Sequence, residues 1–272
     1  MIPAPFTYRR PRSVDEALEL AGQGGDDAKF LAGGHSLLPL MKLRFAVPNV
    51  LIDIGRLGEL SFIRDEDGHI AVGALTSHHD LATSGLLARE LPLLAHAAGC
   101  VGDPQIRHRG TIGGSLAHGD PAGDLPAVIL ALDATLIARG PAGRREVAAA
   151  AFFRGLFETA LAPGELLTEI RIPKPGDTAW SFQKFAKRAI DWAIVGVAVQ
   201  GGNVALVNMG QTPLRAAAVE HALAGGAAPA DAAAHAAEEA NPVNDVNADR
   251  RYRQHLARVL VARALAESRS RT

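Results

Sequence analysis

The sequence predicts a protein of mixed α and β structure, either α/β or α+β, organised in two regions. Strand-like and helix-like patterns alternate through residues 13–173, as they do when helices pack on a sheet. The stretch "PKPGDTAW" at 173–180 carries two prolines and a glycine and is typical of a linker. Beyond it lie a predicted hairpin and alanine-rich helical segments, which indicate a smaller α+β region.

The first region is predicted to begin with a helix and then to alternate. In "SVDEALELA" (13–21), Ser13 occupies an N-cap position ahead of an apolar helical face. The segment 76–99 is helical in pattern, and "AVILALDATLIA" (127–138) is predicted as a helix that runs into a strand. The other predicted strands are "KFLA" (29–32), "VLIDI" (50–54), "HIAVGAL" (69–75) and "LLTEIRIP" (166–173).

The second region is predicted to combine a hairpin with helices. "AIVGVAVQGGNVALVNM" (193–209) has β-rich arms on either side of a "QGGN" turn. Residues 216–240 are alanine-rich and helical in pattern, and "NPVNDVNAD" (241–249) is predicted to be a loop. An amphipathic helix follows, with Leu256, Val259, Leu260 and Ala264 on its apolar face.

Composition and charge restrict the classes of function. The chain has 272 residues, 48% of them hydrophobic, and a formal net charge of −1. This balance argues against a nucleic-acid surface and against a polybasic membrane patch. Cys100 is the single cysteine, so the chain alone forms no internal disulfide and no Cys-ligated zinc or iron–sulfur site. Without a signal-peptide pattern or an apolar run of spanning length, we expect a cytoplasmic protein that does not span a membrane.

Two glycine pairs are the most specific short motifs in the sequence. "AGGHS" (32–36) follows a predicted strand, and "TIGGS" (111–115) repeats the arrangement. Glycine lets backbone N–H groups converge without a Cβ in the way, and a helix that starts there attracts an anion. Two such turns can hold the phosphates of a dinucleotide, with Ser36 and Ser115 adding hydroxyl donors; each pair can also be a tight turn that needs positive φ. Neither the Walker A pattern nor G-x-G-x-x-G is present.

Polar residues near these pairs each allow two interpretations. Arg107 and Arg109 either support an anion or are ordinary solvated arginines. Asp124, in "GDPAGDLP", either accepts hydrogen bonds from sugar hydroxyls or caps the helix that follows. His78 and His79, in "TSHHD", either ligate a metal or lie in the capped first turn of a helix, and the single local carboxylate favours the capped turn.

The two glycine motifs, taken at full length, resemble those of a known family. "AGGHSLLPLMKLR" (32–44) and "QIRHRGTIGGSLAHGDPAGDLPA" (105–127) are similar to the FAD-binding medium subunit of the molybdenum hydroxylase (xanthine oxidase) family, of the aerobic carbon monoxide dehydrogenase type. The similarity extends from "PAPFTYRRPRSVDEAL" (3–18) to "YRQHLARVLVARAL" (252–265), nearly the whole chain.

The resemblance implies a fold of the α+β class. A vanillyl-alcohol-oxidase-type FAD-binding domain is expected over residues 1–175, with a small α/β subdomain over about 1–55 and a larger one over about 56–175. A C-terminal domain with a three-stranded antiparallel sheet and helices is expected over 178–272.

The resemblance also implies which residues hold FAD. Asp124 matches the FAD-contacting aspartate of the family. "KFAKRAIDWAIVGVA" (184–198) matches a segment over the isoalloxazine ring, where Trp192 lies near the flavin and Lys184 or Lys187 contacts it; the alternative for Trp192 is a core aromatic. The two implied pyrophosphate-binding segments are Ala32, Gly33, Gly34, His35 and Ser36, continued by Leu37, and Thr111, Ile112, Gly113, Gly114 and Ser115.

The implied function is electron transfer within a multi-subunit oxidoreductase, with no catalytic residue on this chain and no activity when it is alone. Substrate is oxidised at a molybdenum cofactor on a large partner chain, and electrons cross two [2Fe–2S] clusters on a small partner chain before they reach FAD and an external acceptor such as quinone. We expect a dimer of heterotrimers, peripheral at the inner face of the membrane through the complex. A free-standing FAD oxidoreductase and a non-catalytic nucleotide-binding scaffold subunit are the alternatives.

Overall fold

Three main sheets organise the chain in the computed structural model, which describes residues 2–270. The strands are β1 (Thr7–Arg9), β2 (Ala28–Leu31), β3 (Val50–Asp53), β4 (Ile63–Glu66), β5 (His69–Gly73), β6 (Thr135–Gly140), β7 (Gly143–Ala148), β8 (Phe153–Gly155), β9 (Glu158–Thr159), β10 (Leu166–Pro173), β11 (Trp180–Phe185), β12 (Val195–Gln200), β13 (Asn203–Val207) and β14 (Leu214–Arg215). Strands β8 and β9 pair only with each other, in a short hairpin.

Helices cover these sheets and connect their strands. They are α1 (Val14–Gly24), α2 (Leu37–Lys42), α3 (His78–Thr83), α4 (Gly85–Glu90), α5 (Pro92–Gly99), α6 (Pro104–Arg109), α7 (Ile112–His118), α8 (Asp124–Ala131), α9 (Ala149–Phe152), α10 (Ala217–Ala224), α11 (Pro229–Ala233) and α12 (Arg250–Arg269). Within residues 2–270, every helix is too short or too polar to cross a bilayer.

The first sheet is small and parallel, in the order β1-β3-β2. Strands that run parallel in one sheet need a crossover connection, and α1 supplies the one between β1 and β2, which lie on either side of β3. The predicted cap of α1 is confirmed, because the hydroxyl of Ser13 accepts a hydrogen bond from the backbone N of Glu16. Strand β2 runs directly into the first glycine pair, so the sheet presents that pair at its carboxyl edge.

The second sheet is antiparallel, in the order β4-β5-β10-β6-β7, with α7 packed on β10 and α9 on β6 and β7. The helical segment 76–99 is broken into α3, α4 and α5. Ser84 ends α3 and caps α4, since its hydroxyl accepts from the N of Leu87, and Pro92 begins α5 at the position where no amide is needed.

The third sheet belongs to the second region and contains three long antiparallel strands, β11-β12-β13, with the short β14 added at one edge. Helix α12 packs across β11 and β12. The alanine-rich segment is helical only in α10 and α11, because Gly225 and Gly226 (φ 85°) separate them. The α+β class and the antiparallel C-terminal sheet are therefore confirmed.

Candidate functional site

A cavity of about 1250 Å³ opens between the two regions. Its walls come from the carboxyl edge of the small sheet, from α2, α7 and the start of α8, from the first residues of β10, and from the 186–194 loop that joins β11 to β12. Cavities for drug-sized ligands span about 300–1,000 Å³, so this one has room for a dinucleotide.

The first glycine pair forms a backbone cradle on one wall of this cavity. Among residues 2–270, no acceptor is found for the backbone N–H groups of residues 33–37, and the Ser36 hydroxyl makes no capping bond to α2. Gly34 has φ of 82°, which favours glycine, and a Cβ on Gly33 would lie 2.1 Å from the carbonyl oxygen of Arg109. A run of unpaired amides at a concave surface is suited to an anion.

The second glycine pair differs from the sequence expectation, because it lies inside the first turn of α7 and not in a strand-to-helix turn. Its amides are already used: Ile112 N donates to Thr76 O (3.0 Å), Gly113 N to Ala74 O (2.8 Å), and Gly114 N to the Thr111 hydroxyl (3.2 Å). The expectation of unpaired amides in this helical turn is therefore wrong. Their partners on the neighbouring chain segment hold the start of α7 in place.

The individual residues of "TIGGS" have different roles in the structure. Gly113 packs against the main chain, since a Cβ there would lie 2.6 Å from the carbonyl oxygen of Ala74, and Ile112 is fully buried in the core. Gly114 and Ser115 line the cavity beside the first glycine pair. Within the described chain, the amide of Thr111 and the hydroxyl of Ser115 have no hydrogen-bond partner and remain available on this wall.

Asp124 and Lys184 form a buried ion pair at the cavity wall. Lys184 Nζ donates to Oδ2 of Asp124 at 2.6 Å and to the carbonyl oxygen of Cys100 at 3.0 Å. Burial raises the pKa of Asp124 to about 6, although the Lys184 ammonium acts in the opposite direction. Oδ1 of Asp124 is buried with no partner within residues 2–270. The capping interpretation is wrong, because Gly123 occupies the N-cap and the Asp124 carboxylate makes no cap bond.

The 186–194 loop carries Ile190, Asp191 and Trp192 to the cavity. Trp192 is 60% exposed, so the interpretation as a core aromatic is wrong. The two lysines named from the sequence differ in position: Lys184 lies on β11 and donates to Asp124 at the cavity wall, whereas Lys187 lies beyond the strand end, is exposed and is not part of the cavity lining.

Arg107 and Arg109 do not line the cavity either. Arg107 Nη1 donates to the carbonyl oxygens of Val101 and Gly102, both at 3.1 Å, so it supports a loop. The main chain of Arg109 lies against Gly33, and the residue is exposed. The expectation that these guanidinium groups support an anion in the cavity is therefore wrong.

His78 is a cavity residue that sequence reasoning placed only in a helix turn. It is buried, its backbone N donates to Gly110 O at 3.0 Å, and its Nδ1 has no partner within the described residues. Burial, and then the charges of His35 and Arg107, lower its pKa to about 4, so it is neutral at physiological pH. Ser77 caps α3 as predicted, and His79 instead stacks on His108 with ring centroids 3.9 Å apart.

Apolar lining residues were also missed. Val101, Phe157 and the adjacent Leu166 and Leu167 line the cavity from three separate positions in the sequence. No sequence signal distinguishes them, because an apolar side chain that lines a cavity has the same local pattern as one in the core. They meet only in the tertiary structure, where the segment before α6, the β8–β9 hairpin and the start of β10 come together at the cavity.

The cradle, the buried ion pair and the cavity are suited to a nucleotide cofactor, and comparison with known families shows to which class the chain belongs. Residues 4–175 match the family described as the FAD binding domain in molybdopterin dehydrogenase, and residues 180–268 match the CO dehydrogenase flavoprotein C-terminal domain. The chain belongs to this family of FAD-binding chains of molybdopterin dehydrogenases, which confirms the resemblance seen in the sequence.

Relatives and solved structures agree along the full length. The chain is 45% identical to the carbon monoxide dehydrogenase medium chain of Hydrogenophaga pseudoflava, over 97% of each chain. It is 40% identical to the 6-hydroxypseudooxynicotine dehydrogenase complex subunit alpha of Paenarthrobacter nicotinovorans, over 98% of this chain and 96% of that one. A solved structure of the Hydrogenophaga pseudoflava carbon monoxide dehydrogenase that lacks the Mo-pyranopterin moiety has a TM-score of 0.96 and 46% identity, covering 100% of this chain and 99% of that chain.

Proposed function

We propose that this chain is the FAD-carrying electron-transfer subunit of a molybdenum-containing hydroxylase complex of the carbon monoxide dehydrogenase type. The observation that carries the proposal is the row of unpaired amides at residues 33–37, which faces a dinucleotide-sized cavity in a chain of the FAD-binding family. An unpaired amide at a concave wall favours a phosphate oxygen, and a pyrophosphate offers several.

In this proposal each wall of the cavity binds a different part of FAD. The amides of residues 33–37 and the hydroxyls of Ser36 and Ser115 hold the pyrophosphate, Gly113 lines the same wall, and the buried side chain of Ile112 holds that wall in position. The buried Asp124–Lys184 pair supplies a polar contact, and Trp192 covers the ring. The proposed FAD-binding residues are Ala32, Gly33, Gly34, His35, Ser36, Leu37, Thr111, Gly114, Ser115, Asp124, Lys184 and Trp192.

The chain's own work is to bind FAD, orient it and leave one edge open to a partner. FAD supplies the redox chemistry, accepting electrons from a donor and releasing them to an acceptor. The orphaned Oδ1 of Asp124 is suited to accept a hydrogen bond, and the ammonium of Lys184 keeps that carboxylate oriented. Neutral His78 adds polarity to the wall without adding charge.

The electron donor must be another chain, because Cys100 is the single cysteine and cannot hold a cluster. The relatives are named as medium chains and complex subunits, which supports assembly with a small iron–sulfur chain carrying two [2Fe–2S] clusters and a large molybdenum-cofactor chain. A dimer of heterotrimers, quinone as acceptor, and a cytoplasmic complex held peripherally at the inner face of the membrane are part of this proposal. The substrate is oxidised on the large chain, so no residue of this cavity selects it.

Co-expression and side-chain variants test the proposal. The chain expressed alone should bind FAD but oxidise neither carbon monoxide nor aldehydes, and co-expression with its small and large partners should yield one complex whose flavin is reduced by substrate. Turnover of those substrates by the isolated chain would instead support a free-standing oxidoreductase. A folded chain that binds no FAD would support a scaffold subunit.

A matched pair of serine variants tests the phosphate site itself. Ser36→Ala should weaken FAD binding by about two- to tenfold with little change in Tm, since the hydroxyl makes no capping bond to α2 and one hydrogen bond contributes about 0.5–1.5 kcal/mol. Ser84→Ala is the control: it removes a helix cap far from the cavity and should lower Tm with no effect on FAD affinity. Equal FAD affinity in wild type and Ser36→Ala would place the pyrophosphate elsewhere.

A further inference from the structure

The 186–194 loop is held at its base and not at its tip. Strands β11 and β12 pair up to Phe185 and Val195, and Ile194 N donates to Phe185 O at 2.8 Å, which closes the loop. Toward the tip, the ion pair between Arg188 and Asp191 is largely exposed and therefore weak. The position of Trp192 consequently depends on what the base of the loop contacts.

Asn208 joins that base to the turn that precedes α8. It follows β13 directly and adopts a left-handed conformation with φ of 62°. Its backbone N donates to the carbonyl oxygen of Pro121 at 2.8 Å, and its side-chain Nδ2 donates to the carbonyl oxygen of Ala193 at 2.8 Å. Pro121 lies in the turn before Asp124, and Ala193 is next to Trp192. One residue thus bonds both segments that carry the polar and the aromatic contacts of the site.

A second residue reinforces the same base. Arg253 of α12 is fully buried; it donates to the carbonyl oxygen of Ile194 and, at 2.6 Å, to Oδ2 of Asp245. Burying a guanidinium is costly unless it is paired. The hydrogen bond from Arg253 to the carbonyl oxygen of Ile194 therefore indicates that this carbonyl is held in a fixed position. Ala193 and Ile194 are therefore each held by a side chain from a different element.

We propose that Asn208 is a positioning residue that fixes the distance between the Trp192 loop and the Asp124 turn, and so sets the environment of the isoalloxazine ring. This inference rests on the proposed FAD site. Asn208 acts through Ala193 and Pro121 and does not itself line the cavity. Loss of its side-chain bond should release the loop while leaving the cradle for the pyrophosphate intact.

Two variants separate the side-chain bond from the backbone geometry. Asn208→Gly keeps the left-handed conformation and the bond to Pro121 but removes the bond to Ala193. Asn208→Asp also tolerates this conformation but points a carboxylate oxygen at a carbonyl, which repels it. Asn208→Asp replaces Asn208→Gly in the same measurements if Asn208→Gly yields little folded chain.

Asn203→Ala is the matched control. Asn203 is an asparagine on the same strand that also bonds the first region, through Ala131 O at 2.9 Å and Asp133 Oδ2 at 2.7 Å, but it lies outside the cavity lining. Asn203→Ala should lower Tm without changing either the quenching of Trp192 emission or the reduction potential of the flavin. If Asn208 had a purely structural role, the Asn208 variants would likewise lower Tm without changing the quenching or the potential.

The measurement is the quenching of Trp192 emission by bound FAD in the full chain, with Trp192→Phe as the blank that leaves Trp180. We expect reduced quenching in Asn208→Gly and Asn208→Asp, a shifted flavin reduction potential, and a two- to tenfold rise in the FAD dissociation constant, about the contribution of one hydrogen bond. Quenching and potential equal to those of Asn203→Ala would overturn the inference while leaving the FAD site intact. Wild-type chain that binds no FAD would overturn the proposed function as well.

Discussion

Lys184 Nζ lies 2.6 Å from Oδ2 of Asp124, and this pair joins a strand of the second region to the first turn of a helix of the first. Only 10% of the Lys184 side chain and 5% of the Asp124 side chain are exposed. Both charges are therefore removed from water, and each depends on the other for compensation. The pair also fixes one wall of the cavity, since Lys184 additionally donates to Cys100 O.

Removing the lysine should destabilise the chain in a pH-dependent way. In Lys184→Met the Asp124 carboxyl loses the ammonium that lowers its pKa, so its folded-state pKa rises above the value of about 6. A raised folded pKa means that stability is lost as pH rises through it. We expect a loss of about 3–5 kcal/mol above pH 7 and a smaller loss below pH 6, measured by urea unfolding. Lys187→Met, exposed and outside the cavity, is the control and should change stability little at either pH.

Substitution of the cradle glycine should affect both fold and cofactor. In Gly33→Ala the new Cβ would lie 2.1 Å from Arg109 O, so the two glycine segments must separate. We expect a lower Tm and a rise of at least about tenfold in the FAD dissociation constant, equivalent to about 1.4 kcal/mol. Gly22→Ala, in α1 with nothing within 4 Å of the new Cβ, should instead raise stability by about 0.5–1 kcal/mol and leave FAD binding unchanged. Unaltered FAD binding in Gly33→Ala would contradict the cradle.

Buried His78 should make the chain sensitive to acid. Its pKa is about 4 in the folded state and 6.5 in the unfolded reference, so the unfolded state binds more protons between these values and stability falls as pH drops through that window. The wild type should lose up to about 3 kcal/mol more than His78→Gln between pH 6.5 and 4. The opposing effect of Asp124 is present in both proteins and cancels. Tm measured for the wild type and for His78→Gln across this pH range checks the difference.

Local patterns were sufficient to predict most elements. The cap of α1, the strands around residues 28–31 and 50–53, the hairpin of β12 and β13, and the long final helix follow from periodicity and from Ser, Gly and Asp signals within a few residues. The segment 76–99 was harder, because serine and proline breaks inside one apolar pattern decide where each helix ends. The prediction of helix throughout the alanine-rich segment was wrong in part for the same reason, because the glycines after α10 end that helix.

The site was predictable only where a residue type is unusual for its position. Paired glycines with a following serine indicated both walls. The sequence could not show that the amides of one pair are unpaired while those of the other already donate hydrogen bonds within the protein. That difference comes from Ala74 and Thr76, which are close in space because α7 packs beside the second sheet. Likewise, Lys184 and Lys187 have similar local sequence, and only the end of β11 determines which one reaches Asp124.

The sequence by itself determined the class of the chain, its two regions and the motifs that resemble a flavin subunit, because these depend on short-range pattern and on residue types such as glycine and the single cysteine. The tertiary structure decided which atoms are free to bind. The pairing of Asp124 with Lys184 and the bond from Asn208 N to Pro121 O each join residues separated by long stretches of chain. Such contacts form when the two regions close on each other, and burial and hydrogen bonding at that junction are set by packing and not by local sequence.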